Sequence, residues 1–379
     1  SPSCKMGASI SRDNCQCVAT PQLEPMPAAT DPLALDSRLV KPQRWEPKLF
    51  GWTLLTQFSN PWEFPLPSPL RYLMFLMSSR YRNRPPVPDP RELDIRLPVT
   101  RPDFSLSLGD NKSVSVTWLG HASCLFTFSN EVRVLFDPLL GSRASPVSWI
   151  GPQRQRPAPC SPEQLPNLLA VCISHNHFDH MDRATLNQLR ELQPWLHFYV
   201  PVGDAWWMTK YCGVPANQVH ELSWWESVVL PESNLEIIFT PSSHWSGRNL
   251  FDKNCSLWGS YVLRHGNSAV FFGGDTGYQA DVFKQIGRLY GPMKLAAIPI
   301  GAYQPRDVFE AQHVSPIEAV KIHQDVKSEK SVGIHWGTFC LSTTEALLQP
   351  PDDLKSALDE AGLPRDCFVT VRPGGSLTV

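Results

Sequence analysis

The sequence is poor in charged residues, and the charge it carries is nearly balanced. Asp, Glu, Lys and Arg make up 18% of the 379 residues, and the formal net charge is −2 at pH 7. A nucleic-acid partner calls for an excess of Lys and Arg, at least locally, and a globally basic field is absent. We therefore expect no nucleic-acid partner. Hydrophobic residues make up 42% of the chain, which is enough for a substantial core.

Paired cysteines and long apolar runs are also missing. The ten cysteines include no Cys-x-x-Cys pair, and their thin spread is typical of free thiols in a reducing compartment. No stretch reaches the ~20 apolar residues of a membrane-spanning helix. The first residues contain no apolar run like that of a secretory signal. These absences favour a soluble, cytosolic protein of the size of an enzyme.

Proline, by contrast, is abundant, with 37 residues or about twice the usual ~5%. Residues 1–40 show no hydrophobic period and are predicted to be a disordered tail. Residues 41–110 combine proline with many aromatic residues, and we interpret them as an N-terminal arm. Proline makes long helices and central strands unfavourable in this arm.

One short helix is predicted within the arm, where an apolar run at 70–77 precedes three arginines. One interpretation is that the helix packs against the main domain. The alternative is an element at a membrane interface, with Leu73, Phe75 and Leu76 in the lipid and arginines beside them.

From residue 111 onwards, apolar runs with a period of two alternate with runs at helical spacing. This interleaving predicts one α/β domain over 111–379. The predicted strands are 113–118, 123–128, 132–136, 168–173, 196–200, 235–239, 258–263, 269–273, 295–300 and 331–334. The predicted helices are 184–192, 203–212, 280–290, 315–326 and 352–361.

The strongest local signal follows directly on the buried strand 168–173. Four metal-ligating residue types fall within six positions: His175, His177, Asp179 and His180. In an extended loop, residues two apart point the same way, so the first two histidines can hold one ion together. The chain then turns into a helix, which brings Asp179 and His180 toward a second ion. Imidazole and carboxylate ligands suit borderline-soft divalent metals such as zinc.

Three further candidate ligands each stand just past a predicted strand: His244, Asp275 and His335. Singly, a histidine or aspartate at such a position is more often structural. Together, and in this order, they extend the histidine motif into a set large enough for two ions.

The ordered pattern resembles the metallo-β-lactamase superfamily. The resemblance covers about 111–345 and implies an αββα sandwich with two Zn²⁺ at one edge, between its two sheets. It implies three ligands for one ion, namely His175, His177 and His244. It implies three for the other, namely Asp179, His180 and His335, with Asp275 bridging both. Asp137, after an early strand, would orient the histidine loop by hydrogen bonds.

Wider segments resemble the family of N-acylphosphatidylethanolamine-hydrolysing phospholipases D. They are 117–122, 142–146, 151–154, 298–303 and 335–339, together with Asn60-Pro61-Trp62 in the arm. The resemblance implies hydrolysis of N-acylphosphatidylethanolamine to N-acylethanolamine and phosphatidic acid at a membrane surface, and it suggests a homodimer. A hydroxide bridging two metals would attack the phosphodiester. The expected location is the cytoplasm, peripherally bound to intracellular membranes.

Several residues outside the ligand set are candidates for contacting the substrate or supporting the site. His313 is a candidate catalytic proton donor or phosphate contact, although it could instead cap the helix at 315. Tyr303 and Gln304 are weaker candidates of the same kind. His121 could support a ligand or be a satisfied core histidine.

Tryptophan pairs are candidate membrane anchors because indole combines an apolar ring with a polar N–H. They are Trp206 and Trp207, and Trp224 and Trp225. About half of them could equally be core residues.

Two other functions stay open at the level of the sequence. One is a hydrolase of the same fold that acts on nucleic acid or a soluble phosphodiester. The other is a non-catalytic scaffold at a membrane that keeps structural metals, although a structural site usually closes its coordination. Measuring metal content and turnover on lipid vesicles and on a soluble diester separates these two functions from a phospholipase D.

Overall fold

The computed structural model describes residues 42–46, 48–49, 52–53, 56–105, 113–147, 149–249 and 251–379. The predicted tail 1–40 lies outside the described residues. The strands are β1 (Gln43–Trp45), β2 (Lys48–Leu49), β3 (Trp52–Thr53), β4 (Gln57–Ser59), β5 (Val114–Gly120), β6 (Ser123–Phe128), β7 (Arg133–Phe136), β8 (Ala170–Cys172), β9 (His197–Pro201), β10 (Val219–Leu222), β11 (Ser227–Leu230), β12 (Leu235–Thr240), β13 (Ser260–His265), β14 (Ser268–Phe272), β15 (Met293–Pro299), β16 (Ser328–Ile334), β17 (Phe368–Val369) and β18 (Ser376–Thr378). The helices are α1 (Pro69–Met77), α2 (Ser79–Arg82), α3 (Pro90–Arg96), α4 (Arg183–Leu192), α5 (Ala205–Tyr211), α6 (Ala280–Leu289), α7 (Arg306–Phe309), α8 (Pro316–Asp325) and α9 (Pro350–Glu360).

Two seven-stranded sheets pack face to face. The first has the order β10-β9-β8-β7-β6-β5-β18, and the second has the order β11-β12-β13-β14-β15-β16-β17. Phe136 of β7 stacks on Phe272 of β14 with ring centroids 4.4 Å apart, which places the two inner faces in contact. These strands are apolar on both faces because helices cover their outer sides.

The outer layers are amphipathic helices. Leu186 and Leu189 of α4 pack in one apolar cluster with Val171 and Phe198 of the first sheet. The apolar faces of α6 and α8 join the larger cluster that contains the second sheet. The predicted αββα sandwich is therefore confirmed. The predicted strands and helices of 113–361 are present, with ends that differ by at most three residues.

The topology brings several strand ends to one edge. Strands β7, β8 and β9 run parallel in the first sheet, as do β14, β15 and β16 in the second. Their carboxyl ends therefore meet at a common edge, where ligand sites form in α/β folds. Within 113–379, the strands that the hydrophobic pattern missed are short: β10, β11, β17 and β18. Strand β18 pairs with β5, a partner more than 250 residues away in the chain that local periodicity cannot reveal.

The described part of the arm packs on the sandwich. Phe58 belongs to the main core cluster, and Trp62 stacks on Trp224 with ring centroids 5.9 Å apart. The predicted short helix is present as α1. Its Phe75 is only 7% exposed and meets Phe309 of α7 edge to face at 6.2 Å. The prediction that Phe75 contacts a membrane is therefore wrong, because this ring fills the interface between α1 and α7.

The opposite face of α1 is apolar and exposed. Four of its residues, spaced as on one helical face, are between 50% and 66% exposed: Leu70, Leu73, Met74 and Met77. Leu76 is half-buried and packs beside Phe75. In the part of the chain that the structure describes, no helix has the length and apolarity needed to cross a bilayer.

Candidate metal centre

Histidines and aspartates from five strand ends converge at the common edge of the sheets. Asp137 follows β7, the loop 174–182 follows β8, and His244, Asp275 and His335 follow β12, β14 and β16. Gly274 adopts a φ of +57°, and a Cβ there would stand 2.7 Å from the Ser174 side chain. A glycine therefore allows the Asp275 turn to approach the histidine loop as closely as it does.

Three histidines form the first group. Nε2 of His175 lies 2.8 Å from Nδ1 of His177, and Nε2 of His244 lies 3.3 Å from the same Nδ1. Three nitrogens at ~2.0–2.1 Å from one tetrahedral ion would be about 3.3 Å apart. The three atoms therefore surround a point rather than form a chain of hydrogen bonds, and this is the predicted first ligand set.

Asp275 joins this group to a second one. Its Oδ2 lies 4.0 Å from His175 Nε2 and 3.1 Å from His180 Nε2, while its Oδ1 lies 3.0 Å from His335 Nε2. Asp179 Oδ2 completes the second group at 3.7 Å from His180 Nε2 and 3.8 Å from His335 Nε2. One carboxylate thus faces both sets of nitrogens, which is the position a bridging ligand requires.

Three of the histidines have a partner for the ring nitrogen that faces away from the cluster. His180 Nδ1 lies 2.7 Å from Asp137 Oδ2, and His244 Nδ1 lies 3.1 Å from the Gln312 carbonyl. His175 Nδ1 lies 3.0 Å from Ser174 Oγ. A hydrogen bond at Nδ1 leaves the lone pair on Nε2, so these contacts fix the tautomer that a metal ligand needs.

Asp137 also holds the start of the histidine loop. The Ser174 backbone N–H donates to Asp137 Oδ1 (2.7 Å), and the Ser174 hydroxyl donates to Oδ2 (2.5 Å). Asp137, His121 and His335 all have positive φ values, of 42°, 53° and 62°. Left-handed backbone in non-glycine residues is strained and clusters at functional sites.

Burial and charge divide the histidines into two kinds. Burial lowers the pKa of His177 to about 4 and that of His244 to about 3, so both are neutral at pH 7. Burial also acts to lower the pKa of His335, but the Asp275 and Asp179 carboxylates outweigh it and raise the value to about 9. The second group therefore carries a proton that a metal would have to displace.

The donor set fits divalent metal binding. Several buried polar atoms that face the cluster have no hydrogen-bond partner: His180 Nε2, His335 Nε2, His313 Nδ1 and Asp275 Oδ1. Buried polar atoms are rarely left unpaired in a folded protein. Imidazole and carboxylate ligands in this number suit a divalent ion of the zinc type.

The other candidate residues differ in where they lie. His313 Nδ1 is 3.8 Å from Asp275 Oδ2, so this ring faces the cluster. His121 Nε2 is 2.8 Å from Asp179 Oδ2, within the second group itself. Tyr303 is buried, and its hydroxyl donates to Asp353 of α9. The Gln304 backbone N–H donates to Glu345 (3.0 Å). These contacts of Tyr303 and Gln304 are made to residues outside the cluster.

Some supporting residues escaped the sequence analysis. Asn60 Nδ2 donates to the His244 carbonyl (2.9 Å), and Trp62 Nε1 donates to Ser243 Oγ (3.0 Å). The arm therefore buttresses the turn that carries His244. The signal in the sequence is Asn60-Pro61-Trp62, which resembles the phospholipase D family but does not by itself reveal these contacts.

Tryptophans of the predicted membrane anchor take three different positions. Trp206 on α5 is 64% exposed and lines a groove of ≈ 1230 Å³ together with Trp207 and Phe251. Trp207 is half-buried beneath Arg248. Trp224 and Trp225 are buried in the core, so the prediction that they anchor a membrane is wrong.

The fold and the site place the chain in a known class. The sequence matches the beta-lactamase superfamily domain over residues 132–336, more than half of the chain. The chain belongs to this superfamily. Two solved structures share the fold: Igni18, a metallo hydrolase from Ignicoccus hospitalis, and an isothiocyanate hydrolase from Delia radicum gut bacteria. The first has a TM-score of 0.52 at 22% identity over 71% of this chain and 99% of its own. The second has a TM-score of 0.54 at 16% identity over 69% and 98%.

Curated relatives identify the family within that class. The N-acyl-phosphatidylethanolamine-hydrolyzing phospholipase D 1 of Caenorhabditis elegans is 37% identical over 364 residues, 92% of this chain and 97% of the worm protein. The mitochondrial enzyme of that name from Saccharomyces cerevisiae is 37% identical over 266 residues, 69% of this chain and 55% of the yeast protein. The chain belongs to the family of N-acylphosphatidylethanolamine-hydrolysing phospholipases D, and the predicted resemblance is confirmed.

Proposed function

We propose that the chain is a zinc-dependent phospholipase D that hydrolyses N-acylphosphatidylethanolamines to N-acylethanolamines and phosphatidic acid. The observation that carries the proposal is the Asp275 carboxylate, whose two oxygens reach 3.0 Å from His335 Nε2 and 3.1 Å from His180 Nε2. Family membership supplies the substrate class, because the worm relative is named for this reaction.

A bound pair of divalent ions supplies an activated water and neutralises charge on the phosphoryl oxygens. The protein's own residues orient the ligands that would hold these ions. Asp275 is ionised, because the His180 and His335 imidazoles outweigh burial and hold the pKa of its carboxyl well below the usual range. An ionised carboxylate between two groups of nitrogens can bridge two cations without further proton loss.

His313 is suited to contact the reacting phosphodiester. Burial lowers the pKa of His313 to about 3, so the ring is neutral at pH 7 and serves as an N–H donor rather than as an imidazolium acid. Its position, 3.8 Å from Asp275 Oδ2, allows it to hydrogen-bond a phosphoryl or leaving-group oxygen. The ring also stacks on His335 with centroids 5.4 Å apart, which limits its rotation.

An enzyme that acts on a diacyl substrate has to contact a lipid surface, and α1 carries an exposed apolar face suited to that contact. Its exposed stripe, formed by Leu70, Leu73, Met74 and Met77, is apolar. Arg71 of α1 and Arg80 of α2 share the Asp307 carboxylate, at 3.6 and 3.1 Å, and two guanidinium groups with one carboxylate leave a net positive charge on these helices. An apolar helical face with adjacent cationic side chains is typical of peripheral membrane binding. We therefore propose peripheral attachment to an intracellular membrane; the homodimer stays a prediction.

The decisive experiment is hydrolysis of N-acylphosphatidylethanolamine in phosphatidylcholine vesicles in ¹⁸O-labelled water. Attack at phosphorus puts the label into phosphatidic acid and leaves the N-acylethanolamine unlabelled. Label in the N-acylethanolamine would indicate attack at carbon and contradict the mechanism. Turnover of a soluble aryl phosphodiester without turnover of the lipid would instead support a hydrolase of the same fold with another substrate.

A further inference from the structure

The histidine loop, residues 174–182, has to be held in shape by its surroundings. It lies between β8 and α4 and contains only one short hydrogen-bonded turn, in which the His180 and Met181 N–H groups donate to the His177 carbonyl at 3.1 and 2.9 Å. Four candidate metal ligands lie on this irregular segment. Their mutual geometry therefore depends on contacts that the rest of the fold makes to the loop.

Arg248 spans the loop. Its Nη1 donates to the carbonyl of Asn176 at 2.7 Å and to the carbonyl of Met181 at 3.0 Å. These two carbonyls bracket the segment 177–180, so a single guanidinium nitrogen joins both of its ends.

The guanidinium is itself fixed between two aromatic rings. Its central carbon lies 4.2 Å from the ring centroid of Phe178, within the loop, and 4.1 Å from that of Trp207 on α5. Contact of a planar guanidinium with two aromatic rings limits its motion and adds cation–π attraction. Burial lowers the pKa of Arg248 to about 10, so the group stays charged at neutral pH.

The residue between the first two histidines is anchored by the same segment. Asn176 Oδ1 accepts from the Gly247 N–H (2.8 Å), and Asn176 Nδ2 donates to Asp204 Oδ1 (3.0 Å) and Ser256 Oγ (3.1 Å). Residues 247 and 248 therefore both bind Asn176: Gly247 bonds to the Asn176 side chain, and Arg248 bonds to the Asn176 carbonyl. Both contacts act on the two-residue spacing that lets His175 and His177 point together.

We infer that Arg248 is a positioning residue for the metal-binding loop: it sets the separation of the loop's two ends and thereby the convergence of His175, His177 and His180. The inference rests on the proposed metal-dependent function but not on the choice of substrate. Without the guanidinium, the Asn176 and Met181 carbonyls lose a charged hydrogen bond, and the loop gains conformations in which the ligands diverge.

The test compares Arg248→Met and Arg248→Lys with the wild type and with the control Arg264→Met. Arg264 forms an exposed ion pair with Glu236 at 3.0 Å on the second sheet, so its loss leaves the histidine loop intact. The readouts are the rate of Zn²⁺ release to a chromophoric chelator and the rise in melting temperature that Zn²⁺ produces. Loss of groups that orient metal ligands typically weakens metal binding ~10–100-fold. We expect at least about tenfold faster release in both Arg248 variants and a smaller Zn²⁺-induced rise, with no change in the control.

The inference is overturned if the Arg248 variants release Zn²⁺ at the wild-type rate and their melting temperatures fall by the same amount with and without Zn²⁺. That result would show that Arg248 is merely a packing residue. If Arg248→Met does not fold, Arg248→Lys decides, because it keeps the charge but is shorter and lacks the planar group that packs on Phe178 and Trp207. Wild-type release in that variant overturns the inference. A wild-type protein that binds Zn²⁺ but does not cleave N-acylphosphatidylethanolamine contradicts the proposed function and leaves this inference standing.

Discussion

Asp137 Oδ2 lies 2.7 Å from His180 Nδ1, and neither side chain is exposed to solvent. The pair joins two strand ends of the first sheet, since Asp137 follows β7 and His180 follows β8. Burial raises the pKa of Asp137 even though His180 and Ser174 stabilise its charged form. A carboxylate held at this depth presents one strong acceptor to the histidine ring and fixes the direction of its second nitrogen.

Asp137→Asn is therefore expected to reduce metal affinity, although Asp137 is not itself a candidate metal ligand. An amide in this place offers a weaker acceptor, or turns a donor toward His180, and the ring loses its fixed tautomer. We expect ~10–100-fold weaker binding, measured by metal content after dialysis against a chelator series. Asp103→Asn is the matched control, because Asp103 is exposed. Metal retention equal to that of the wild type would contradict the orienting role.

Asp275→Asn should separate the two metal positions. We expect the wild type to bind two ions per chain, and the variant to keep the ion held by His175, His177 and His244 while losing most of the second. Turnover should be almost abolished, with circular dichroism unchanged. Metal analysis that finds one ion in the active wild type, or full activity with two ions in the variant, would contradict the bridging role.

The two metal positions should respond differently to pH. The His177 and His244 pKa values of about 4 and about 3 leave the first group deprotonated above pH 5. The His335 pKa is raised to about 9, and the Asp275, Asp179 and Asp137 carboxylates outweigh burial and raise the pKa of His180 as well, so both rings hold a proton at neutral pH that metal binding at the second position releases. Affinity at the second position should therefore rise with pH from about 6 to about 8, while affinity at the first position stays flat. Calorimetry in buffers of different ionisation enthalpy measures the protons released; equal release at both positions would contradict this assignment.

Stability of the metal-free protein should depend on Asp204. Burial raises the pKa of its carboxyl to about 7, although hydrogen bonds from Ser256 and Asn176 and the charge of Arg248 oppose the rise. The folded state then holds a proton that the unfolded state releases near pH 4, so this group's contribution to stability is lost as pH rises from about 4 to 7, by at most about 1.4 kcal/mol per pH unit. Asp204→Asn should remove that slope.

The measurement is the free energy of unfolding in denaturant for the wild type and Asp204→Asn between pH 5 and 8. The difference between the two proteins should move in favour of the variant up to pH 7 and then level off. A difference that does not change with pH would show that Asp204 titrates in the ordinary range.

The exposed face of α1 should govern attachment to lipid. Replacing Leu73, Met74 and Met77 together with Ser removes apolar contacts worth ~1.5–3 kcal/mol for each side chain that is buried in lipid. Vesicle binding should fall by orders of magnitude, while cleavage of a short-chain soluble analogue and the melting temperature stay unchanged.

Two single variants are the controls for that face. Ile317→Ser changes an exposed apolar residue on α8 and should leave vesicle binding unchanged. Phe75→Ala should instead destabilise the protein by roughly 3 kcal/mol, because its ring is packed on Phe309. Equal loss of activity on vesicles and on the soluble analogue in the triple variant, with a lowered melting temperature, would favour a packing role for this face.

The sequence by itself was enough to determine the sandwich and to single out the candidate ligand set. Strands β5 to β9 and β12 to β16 carry their own signal, because burial on both faces gives apolar runs whatever the neighbours are. The motif at 175–180 and the residues after β12, β14 and β16 were visible because chain order and residue type suffice to describe metal ligands.

Only the tertiary structure decided which residues support those ligands and which aromatic residues face out. Phe75 and Leu73 are two positions apart in one apolar run, yet one packs on α7 and the other is exposed, since helix orientation depends on a partner far away in the chain. Arg248 and Asn60 reach the histidine turns from segments 72 and 184 residues distant. Contacts of that kind arise from the packing of the two sheets, which no local pattern encodes.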